Sequence, residues 1–288
     1  MKKNIFSFFS VTIIAMGLMQ STICRSTASP IFSEGFEVAD YAGYEIPTSQ
    51  TRIPLPASKT SNWRSRASDK SIDIEIDQQN LFGLGTSNQV LRLERPTDAS
   101  GSFNLLSRNF TPITTGVISF DFVVDEISGD KGFLFAFATG VEAGVIDTYS
   151  NSKMTGSIYI RDGVINRAVS TNIYSGPGDS FTFNKSQKNT LTMVFNNSSS
   201  PFSYGDEEVA SGTMHVLLNG VFQVSWDISQ VEDSNIGDPV VGLWLQFPSN
   251  ASGLLRLDNI TVIPEPSLTA CVLTGLGVIG FLAGRKAK

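Results

Sequence analysis

Residues 117–124 read Val-Ile-Ser-Phe-Asp-Phe-Val-Val, and this stretch decides the fold class. Its even-numbered positions are all apolar: Ile118, Phe120, Phe122 and Val124. The residues between them begin with Ser and Asp. Because successive side chains of a strand point to opposite faces, the pattern predicts a β-strand with one face in a core.

Similar short strands recur along the chain, separated by turn residues, and no long segment has helical periodicity. Strands are predicted at residues 71–77, 89–94, 132–138, 157–161, 190–195, 213–218, 221–226, 240–247 and 253–262. So many short strands need two packed sheets to bury their apolar faces. The predicted fold is therefore all-β, a two-sheet antiparallel β-sandwich of the jelly-roll type.

Two dipeptides, Asp162-Gly163 and Asn219-Gly220, predict hairpin turns, since glycine tolerates the positive φ that such turns need. At the second turn we expect a three-residue loop with Gly220 in a bulge. This register would place Phe222 on the core-facing side of its strand.

The N-terminal segment, residues 1–29, has the order of a secretory signal peptide: Lys2 and Lys3, then an apolar run, then small and polar residues. Cleavage near residues 27–31 by signal peptidase is expected. Export follows from this interpretation.

The C-terminal segment, residues 263–288, contains Pro264-Glu265-Pro266, an apolar run at 268–284 and then Arg285 and Lys286. As a helix, the run would span roughly 26 Å, close to the thickness of a bilayer core. The basic end is expected to stay in the cytoplasm. A permanent C-terminal anchor is the simpler alternative.

This order of features resembles the PEP-CTERM sorting signal of Gram-negative bacteria. The resemblance implies transient anchoring in the inner membrane, processing by an exosortase and delivery to the outer surface or the extracellular matrix. It implies nothing about the domain at residues 30–262.

Charge and cysteine content limit what that domain does. Residues 34–265 hold all 27 acidic residues and 15 of the 21 basic residues, so this part of the chain carries a net charge of −12. Such a surface repels nucleic acid, which we exclude as a partner. Both cysteines, Cys24 and Cys271, fall in the terminal segments, so the core must form without disulfides.

The domain also diffusely resembles concanavalin-like and carbohydrate-binding jelly rolls, in its opening residues 32–37, the hairpin at 217–222 and the closing residues 257–262. In such folds the first and last strands often pair. That pairing would bring Glu34 or Glu37 near Asp258, where carboxylates could hold a structural calcium ion. Acids that face solvent or accept backbone hydrogen bonds are the alternative, and we expect no other cofactor.

No catalytic site is predicted. The single histidine, His215, lies in a predicted strand and points away from the core, and no nucleophile motif accompanies it. The alternative is the run from Asp73 through Glu75 to Asp77, which resembles the acidic strand of laminarinase-like glucanases. It departs from that family because Asp replaces the catalytic Glu at both ends.

The predicted function is a non-catalytic surface or matrix protein that binds polysaccharide through aromatic rings. Sugar faces stack on exposed rings, which makes four residues candidates: Trp63, Tyr159, Tyr174 and Trp244. Trp244 is expected beside Gln246, opposite the core-facing residues of its strand. Core packing of these rings, and a purely structural passenger domain, are the alternatives.

Overall fold

The structure is a computed structural model that describes residues 28–37, 52–54, 63–66, 71–129, 132–139, 154–170, 173–174, 179–228 and 237–265. Pro30–Ile263 form one compact unit, to which the strands below belong. The other unit, Met1–Ser29 with Pro264–Lys288, lies almost wholly outside the described residues.

Nine strands, numbered in chain order, form the first sheet. Their spatial order is β17 (Val221–Asp227), β16 (Thr213–Leu218), β13 (Asn189–Asn196), β7 (Thr115–Gly129), β19 (Ala251–Pro264), β5 (Gln89–Arg95), β4 (Ser71–Ile76) and β2 (Arg52–Pro54), with β1 (Phe32–Glu34) paired to β19.

Eight strands form the second sheet. Their order is β11 (Ile173–Tyr174), β10 (Val164–Ser170), β9 (Met154–Ile160), β8 (Phe133–Thr139), β18 (Val240–Phe247), β6 (Phe103–Ser107) and β3 (Trp63–Arg66), with β12 (Ser180–Thr182) paired to β10. A separate hairpin joins β14 (Phe202–Tyr204) to β15 (Glu207–Val209). The described residues contain no helix, and the predicted antiparallel β-sandwich is confirmed.

Phenylalanine rings from the two sheets meet in the core between them. Phe120 of β7 stacks on Phe135 of β8 with ring centroids 4.5 Å apart. Phe195 of β13 lies 5.1 Å from Phe137 of β8. Within residues 117–124, the four apolar residues that were predicted to face the core are fully buried in it. The alternation that predicted β7 therefore identifies correctly which of its residues lie on the inner face of the first sheet.

The first and last strands pair, as expected for the resemblance. Phe32 lies opposite Val262 and Glu34 opposite Ile260. Because β19 is 14 residues long, it also pairs with β5 through Gly253 to Leu257. The closing strand thus lies inside the first sheet, between β7 and β5.

The hairpin β16–β17 corrects the predicted register. Leu218 lies opposite Val221, so the loop is a two-residue turn, and Asn219 and Gly220 have φ values of 51° and 77°. The irregularity falls after Phe222, because Leu217 pairs with Phe222 while Val216 pairs with Val224. The bulge therefore occurs inside β17 and turns Phe222 to the outer face, where it is 46% exposed.

Among the described residues, no helix is long and apolar enough to cross a membrane. The predicted membrane segment at 268–284 and nearly all of the predicted signal peptide, residues 1–29, lie outside the part of the chain that the structure describes.

Candidate functional site

The outer face of the second sheet carries a row of side chains that crosses five strands. Cross-strand pairing joins Asn104 to Gln246, Gln246 to Leu134, Leu134 to Tyr159 and Tyr159 to Asn166. The chain neighbours of Leu134 and Gln246 belong to the core, which places the row on the opposite side. We call this set the amide row, because an amide lies at each end.

A second row runs beside the amide row. Trp244 lies opposite Leu106 on one side and opposite Ala136 on the other, and Ala136 pairs with Ser157. Leu134, Ala136, Tyr159 and Trp244 belong to one apolar cluster, separate from the core between the sheets. Leu134, Ala136 and Tyr159 are 0% exposed and Trp244 is 1% exposed, so this outer cluster is buried.

Hydrogen bonding is incomplete on this face. Trp244 donates its Nε1–H to Asn104 Oδ1 at 3.0 Å. By contrast, Asn166 Oδ1 and Gln246 Oε1 are buried and have no hydrogen-bond partner among the described residues. Since buried polar atoms are nearly always paired, these two amide oxygens are exceptions on this face, which either water or a ligand hydroxyl would satisfy.

Three of the four predicted aromatic residues are buried in the part of the chain that the structure describes. Trp63, Tyr159 and Trp244 are 1%, 0% and 1% exposed, and nothing is described of the Tyr174 side chain. For the three buried rings, the prediction of exposure is wrong, because buried apolar side chains surround each ring. The position of Trp244 opposite the core-facing residues of β18 agrees with the sequence expectation.

Trp63 differs from the other two rings because it lies in the core between the sheets. Its ring contacts Phe32 at 5.6 Å edge-on and stacks on Phe36 at 6.2 Å. Its Nε1–H donates to Glu34 Oε2 at 3.2 Å. Trp63 is therefore a core residue with its one polar atom satisfied.

Burial raises the pKa of the Tyr159 hydroxyl, since removing the phenolate from water disfavours the charged form. Tyr159 accordingly stays neutral at any physiological pH. The amide row is thus uncharged from Asn104 to Asn166.

The predicted calcium ligands do not converge. Glu34 is 1% exposed, and its carboxylate accepts hydrogen bonds from the Phe36 N–H at 3.0 Å and from Trp63. Glu37 Oε1 accepts the Gln89 N–H at 3.3 Å. No group of three potential metal-ligating side chains forms within the described ranges. The predicted set of calcium ligands, Glu34, Glu37 and Asp258, is wrong, because the Glu34 side chain points into the core beside Trp63.

Asp258 lies in a different buried polar cluster. Its two oxygens accept the Asn88 side-chain amide at 3.0 Å and the Asn259 N–H at 2.7 Å. Burial raises the pKa of Asp258 to about 7, and the charges of Asp121 and Glu37 raise it further against the lowering effect of those hydrogen bonds. The nearness of Glu37 to Asp258 follows from the pairing of β1 with β19.

The acidic strand considered for glycoside hydrolysis is a salt-bridge network. Asp73 and Glu75 both contact Arg92, with N–O distances of 3.4 and 3.0 Å. Glu75 also contacts Arg256 at 3.3 Å, and Arg256 pairs in turn with Asp125. Two arginines thus neutralise the carboxylates that the hydrolase alternative needs. On β4, this alternative therefore lacks two carboxyl groups available for catalysis.

Asp77 lies just after β4 and stabilises a turn. Its two oxygens accept the N–H groups of Leu81 and Phe82, each at 2.9 Å. The predicted row of three acids is therefore divided between a strand face and a turn.

His215 lies on the outer side of the first sheet, in β16. Its Nδ1 is 3.5 Å from Glu207 Oε2, and its ring contacts Phe222 edge-on at 5.5 Å. Its cross-strand partner is Ser225 of β17, and it points away from the core as the sequence predicted. His215 is on the other sheet from the amide row.

Sequence reasoning missed Asn104 and Asn166. Neither β6 nor β10 was predicted as a strand, so the faces of their residues were unassigned. Gln246 was placed correctly on the same face as Trp244, because the apolar residues on either side of it in β18 belong to the opposite face. Cross-strand register, which joins residues far apart in sequence, is what brings these amides into one row.

No known protein family matches the chain, and no curated protein matches it. Among solved structures, the carbohydrate esterase vb_24B_21 from Shiga toxin-encoding bacteriophage phi24B is 14% identical with a TM-score of 0.47, covering 83% of this chain and 100% of that chain. The Emp47p carbohydrate recognition domain is 10% identical with a TM-score of 0.45, covering 84% and 99%. Alginate lyase Aly36B is 11% identical with a TM-score of 0.41, covering 70% and 88%. Two are enzymes and one is a recognition domain, and likenesses this weak carry no argument about activity.

Proposed function

We propose that this protein is exported, sorted at the inner membrane by an exosortase, and binds polysaccharide at the cell surface or in the extracellular matrix. The binding site lies on the outer face of the second sheet, at the half-buried end of the amide row where Asn104 and Gln246 lie beside Trp244. The role is non-catalytic. The bound form is the mature domain, without the two terminal segments that the 288-residue chain still carries.

The observation that supports binding is the amide oxygen of the half-buried Gln246, which has no hydrogen-bond partner among the described residues. A saccharide offers a hydroxyl donor to this oxygen. Trp244, held by Asn104, lies in the adjoining row. This combination of amides and an aromatic ring on one sheet face is suited to sugar recognition.

The order of features at the C-terminus supports sorting. β19 ends at Pro264, the first residue of Pro264-Glu265-Pro266. Proline has no N–H to donate to a sheet, which explains why the strand stops there. The sorting segment therefore begins where the domain ends.

The test of binding uses residues 30–263, which contain the core of both sheets and form one compact unit. Retention on a glycan array and calorimetric titration are measured for this domain and for two matched variants. Trp244→Phe removes the N–H that donates to Asn104, whereas Trp226→Phe removes an N–H without a partner among the described residues. We expect Trp244→Phe to weaken binding several-fold and Trp226→Phe to leave it unchanged.

Two results would contradict the proposal. One is that the folded domain retains no glycan. The other is that both tryptophan variants lose affinity equally, since this would indicate a general loss of structure. Melting curves of each variant separate loss of fold from loss of binding.

A further inference from the structure

We infer that the domain has a second binding surface for neutral saccharides, on the outer face of the first sheet, and that it thereby joins two polysaccharide chains; the ligand class rests on the function proposed above. We call this surface the Phe222 row, and its members are Phe222, Leu217, Thr192 and Ser119. The core between the sheets separates this row from the Gln246 site on the second sheet. Each surface therefore meets polysaccharide from its own side of the sandwich.

Cross-strand pairing assembles the row from four neighbouring strands. Phe222 of β17 lies opposite Leu217 of β16, Leu217 opposite Thr192 of β13, and Thr192 opposite Ser119 of β7. The chain neighbours of Leu217, Thr192 and Ser119 pack in the core, which places the row on the outer face. Phe222 is 46% exposed and the other three are half-buried, so the row is accessible along its length of roughly 14 Å.

The β-bulge in β17 is what exposes Phe222. Trp226 and Val224 of the same strand pack against the core, and uninterrupted alternation from them would place Phe222 on the core side as well. The bulge between Val224 and Phe222 turns this ring to the outer face instead. An aromatic ring in solvent forgoes burial, and bulges often re-aim a side chain at a functional site. Ligand binding accounts for an exposure that folding does not require.

A chain of contacts holds the Phe222 ring and leads to a second exposed aromatic ring. His215 contacts Phe222 edge-on at 5.5 Å, and its Nδ1 lies 3.5 Å from Glu207 Oε2. Glu207 pairs across the β14–β15 hairpin with Tyr204, which is 39% exposed. Apolar faces of sugar rings stack on exposed aromatic side chains, so Phe222 and Tyr204 are positioned for such contacts.

The other end of the row offers hydrogen-bond acceptors. Ser119 Oγ donates to the Leu191 carbonyl oxygen at 3.2 Å and lies 3.1 Å from Thr192 Oγ1. Since Ser119 has a single hydroxyl proton, Thr192 donates in the second contact, and each oxygen keeps a lone pair for a sugar hydroxyl. The row thus combines an exposed ring with polar groups, which are the two kinds of contact that saccharides make.

The charges beside the row favour a neutral ligand. Glu207 and its chain neighbours Asp206 and Glu208 are all exposed, and residues 34–265 carry a net charge of −12. This potential repels anionic saccharides. It also opposes a second copy of this chain as the occupant, because self-association through the row would bring the acidic residues of both copies into one interface.

The first experiment counts the binding sites of the domain at residues 30–263. Hexasaccharides from β-1,3-glucan, β-1,4-glucan and β-1,4-mannan are titrated calorimetrically, with oligouronates as charged counterparts. We expect two sites per domain for a neutral probe. Phe222→Thr should weaken one of them about tenfold or more, and Trp244→Phe should weaken the other. Oligouronates should bind the row more weakly than the neutral probes do.

Val221→Thr is the matched control for Phe222→Thr. Val221 is 62% exposed on the same strand, but it lies opposite Leu218, which packs against the core, and so it is not part of the row. This variant should keep both sites. The melting temperature of each variant is measured alongside, so that a loss of binding is separated from a loss of fold.

The second experiment measures cross-linking with long chains of the polysaccharide that binds. Light scattering should rise when the unaltered domain is mixed with the polymer and should fall again when excess hexasaccharide is added. Phe222→Thr should still be retained on beads that carry the polymer, through the Gln246 site, but it should no longer raise the scattering.

The outcomes separate the two levels of the proposal. If no probe binds the folded domain, the proposed function is wrong and the inference with it. If one site is found and Phe222→Thr leaves it unchanged, only the second surface is overturned. If the single site is lost in Phe222→Thr and kept in Trp244→Phe, the Gln246 site and the cross-linking are both refuted. Preference for oligouronates, or dimers of the unaltered domain that Phe222→Thr abolishes, would overturn the neutral saccharide as the occupant of the row.

Discussion

Asp258 makes the stability of the domain depend on pH. Its folded pKa of about 7 lies above the ordinary value of 3.8, chiefly because the carboxyl is buried. The folded protein therefore holds the proton more tightly than the unfolded chain does. The stabilisation this provides is fully present below pH 3.8 and is lost as pH rises through about 7.

We expect the free energy of unfolding to fall between pH 5 and pH 8, with a slope of at most ~1.4 kcal/mol per pH unit from this group. Asp258→Asn should flatten the curve, since the amide does not titrate, while its single oxygen keeps one of the two accepted hydrogen bonds. Urea unfolding at several pH values measures this. Asp206→Asn, at an exposed turn, is the control for charge, and an equal flattening by it would refute the role of Asp258.

Arg95 joins two segments of the chain through backbone carbonyl groups. It is 2% exposed, and its guanidinium donates to five backbone carbonyls: those of Pro96, Ala99, Gly101, Ser249 and Ala251. These carbonyls come from the segment after β5 and from Ser249 and Ala251, where β19 begins. The arginine thus replaces regular sheet pairing at this end of the sandwich.

Arg95→Met should lower the free energy of unfolding by about 3 kcal/mol or more, because several buried carbonyls lose their donors at once. Chemical denaturation measures the change. Arg108→Met, at an exposed position, should cost less than about 0.5 kcal/mol. Similar costs for the two variants would mean that water replaces the Arg95 hydrogen bonds freely.

At the level of elements, the register of the β16–β17 hairpin decides which of its aromatic residues stabilises the fold. Phe222 is 46% exposed on the outer face, whereas Trp226 is 3% exposed and stacks on Phe181 at 5.8 Å. Phe222→Thr should change the free energy of unfolding by less than about 0.5 kcal/mol. Trp226→Ala should cost about 3 to 5 kcal/mol.

Urea denaturation of the two variants compares these costs. A large loss in Phe222→Thr would place Phe222 in the core, as the three-residue loop predicted from the sequence requires. The bulge at Gln223 explains why sequence reasoning chose the wrong loop. The prediction assumed that regular alternation continues from Trp226 back through Phe222. The bulge adds one residue to the strand, so the residues between the turn and the bulge point to the opposite face.

Elements were predictable where a strand has a one-sided or fully apolar pattern. β16 and β18 match their predicted bounds, and β7 extends its predicted stretch at both ends. By contrast, β6 and β10 were missed. They read Phe-Asn-Leu-Leu-Ser and Val-Ile-Asn-Arg-Ala-Val-Ser, and polar residues on the outer face interrupt their apolar runs. These polar residues include the amides of the candidate site.

For the whole molecule, the prediction concerns processing at both ends. Mature protein from the cell surface should lack residues 1–29 and the apolar run at 268–284, because both segments are expected to be cleaved on export and sorting. Intact-mass spectrometry of the surface form measures this. Replacing Pro264, Glu265 and Pro266 with alanine should leave the C-terminal run attached.

A matched variant replaces three polar residues in the exposed turn at 198–200 with alanine and should be processed normally. If residues beyond Ser267 persist in the mature surface form of the unaltered protein, the cleaved tail is refuted and the permanent anchor is favoured.

The sequence by itself determined the β-class, the strands with a clear period of two and the apolar run long enough to cross a bilayer, because each depends on residues close together in the chain. Only the tertiary structure decided what the side chains meet. Trp244 binds Asn104 from 140 residues away, Trp63 binds Glu34 from 29 residues away, and Arg256 neutralises Glu75 across 181 residues. Such contacts are set by strand order and register. The same register assembles the amide row of the candidate site.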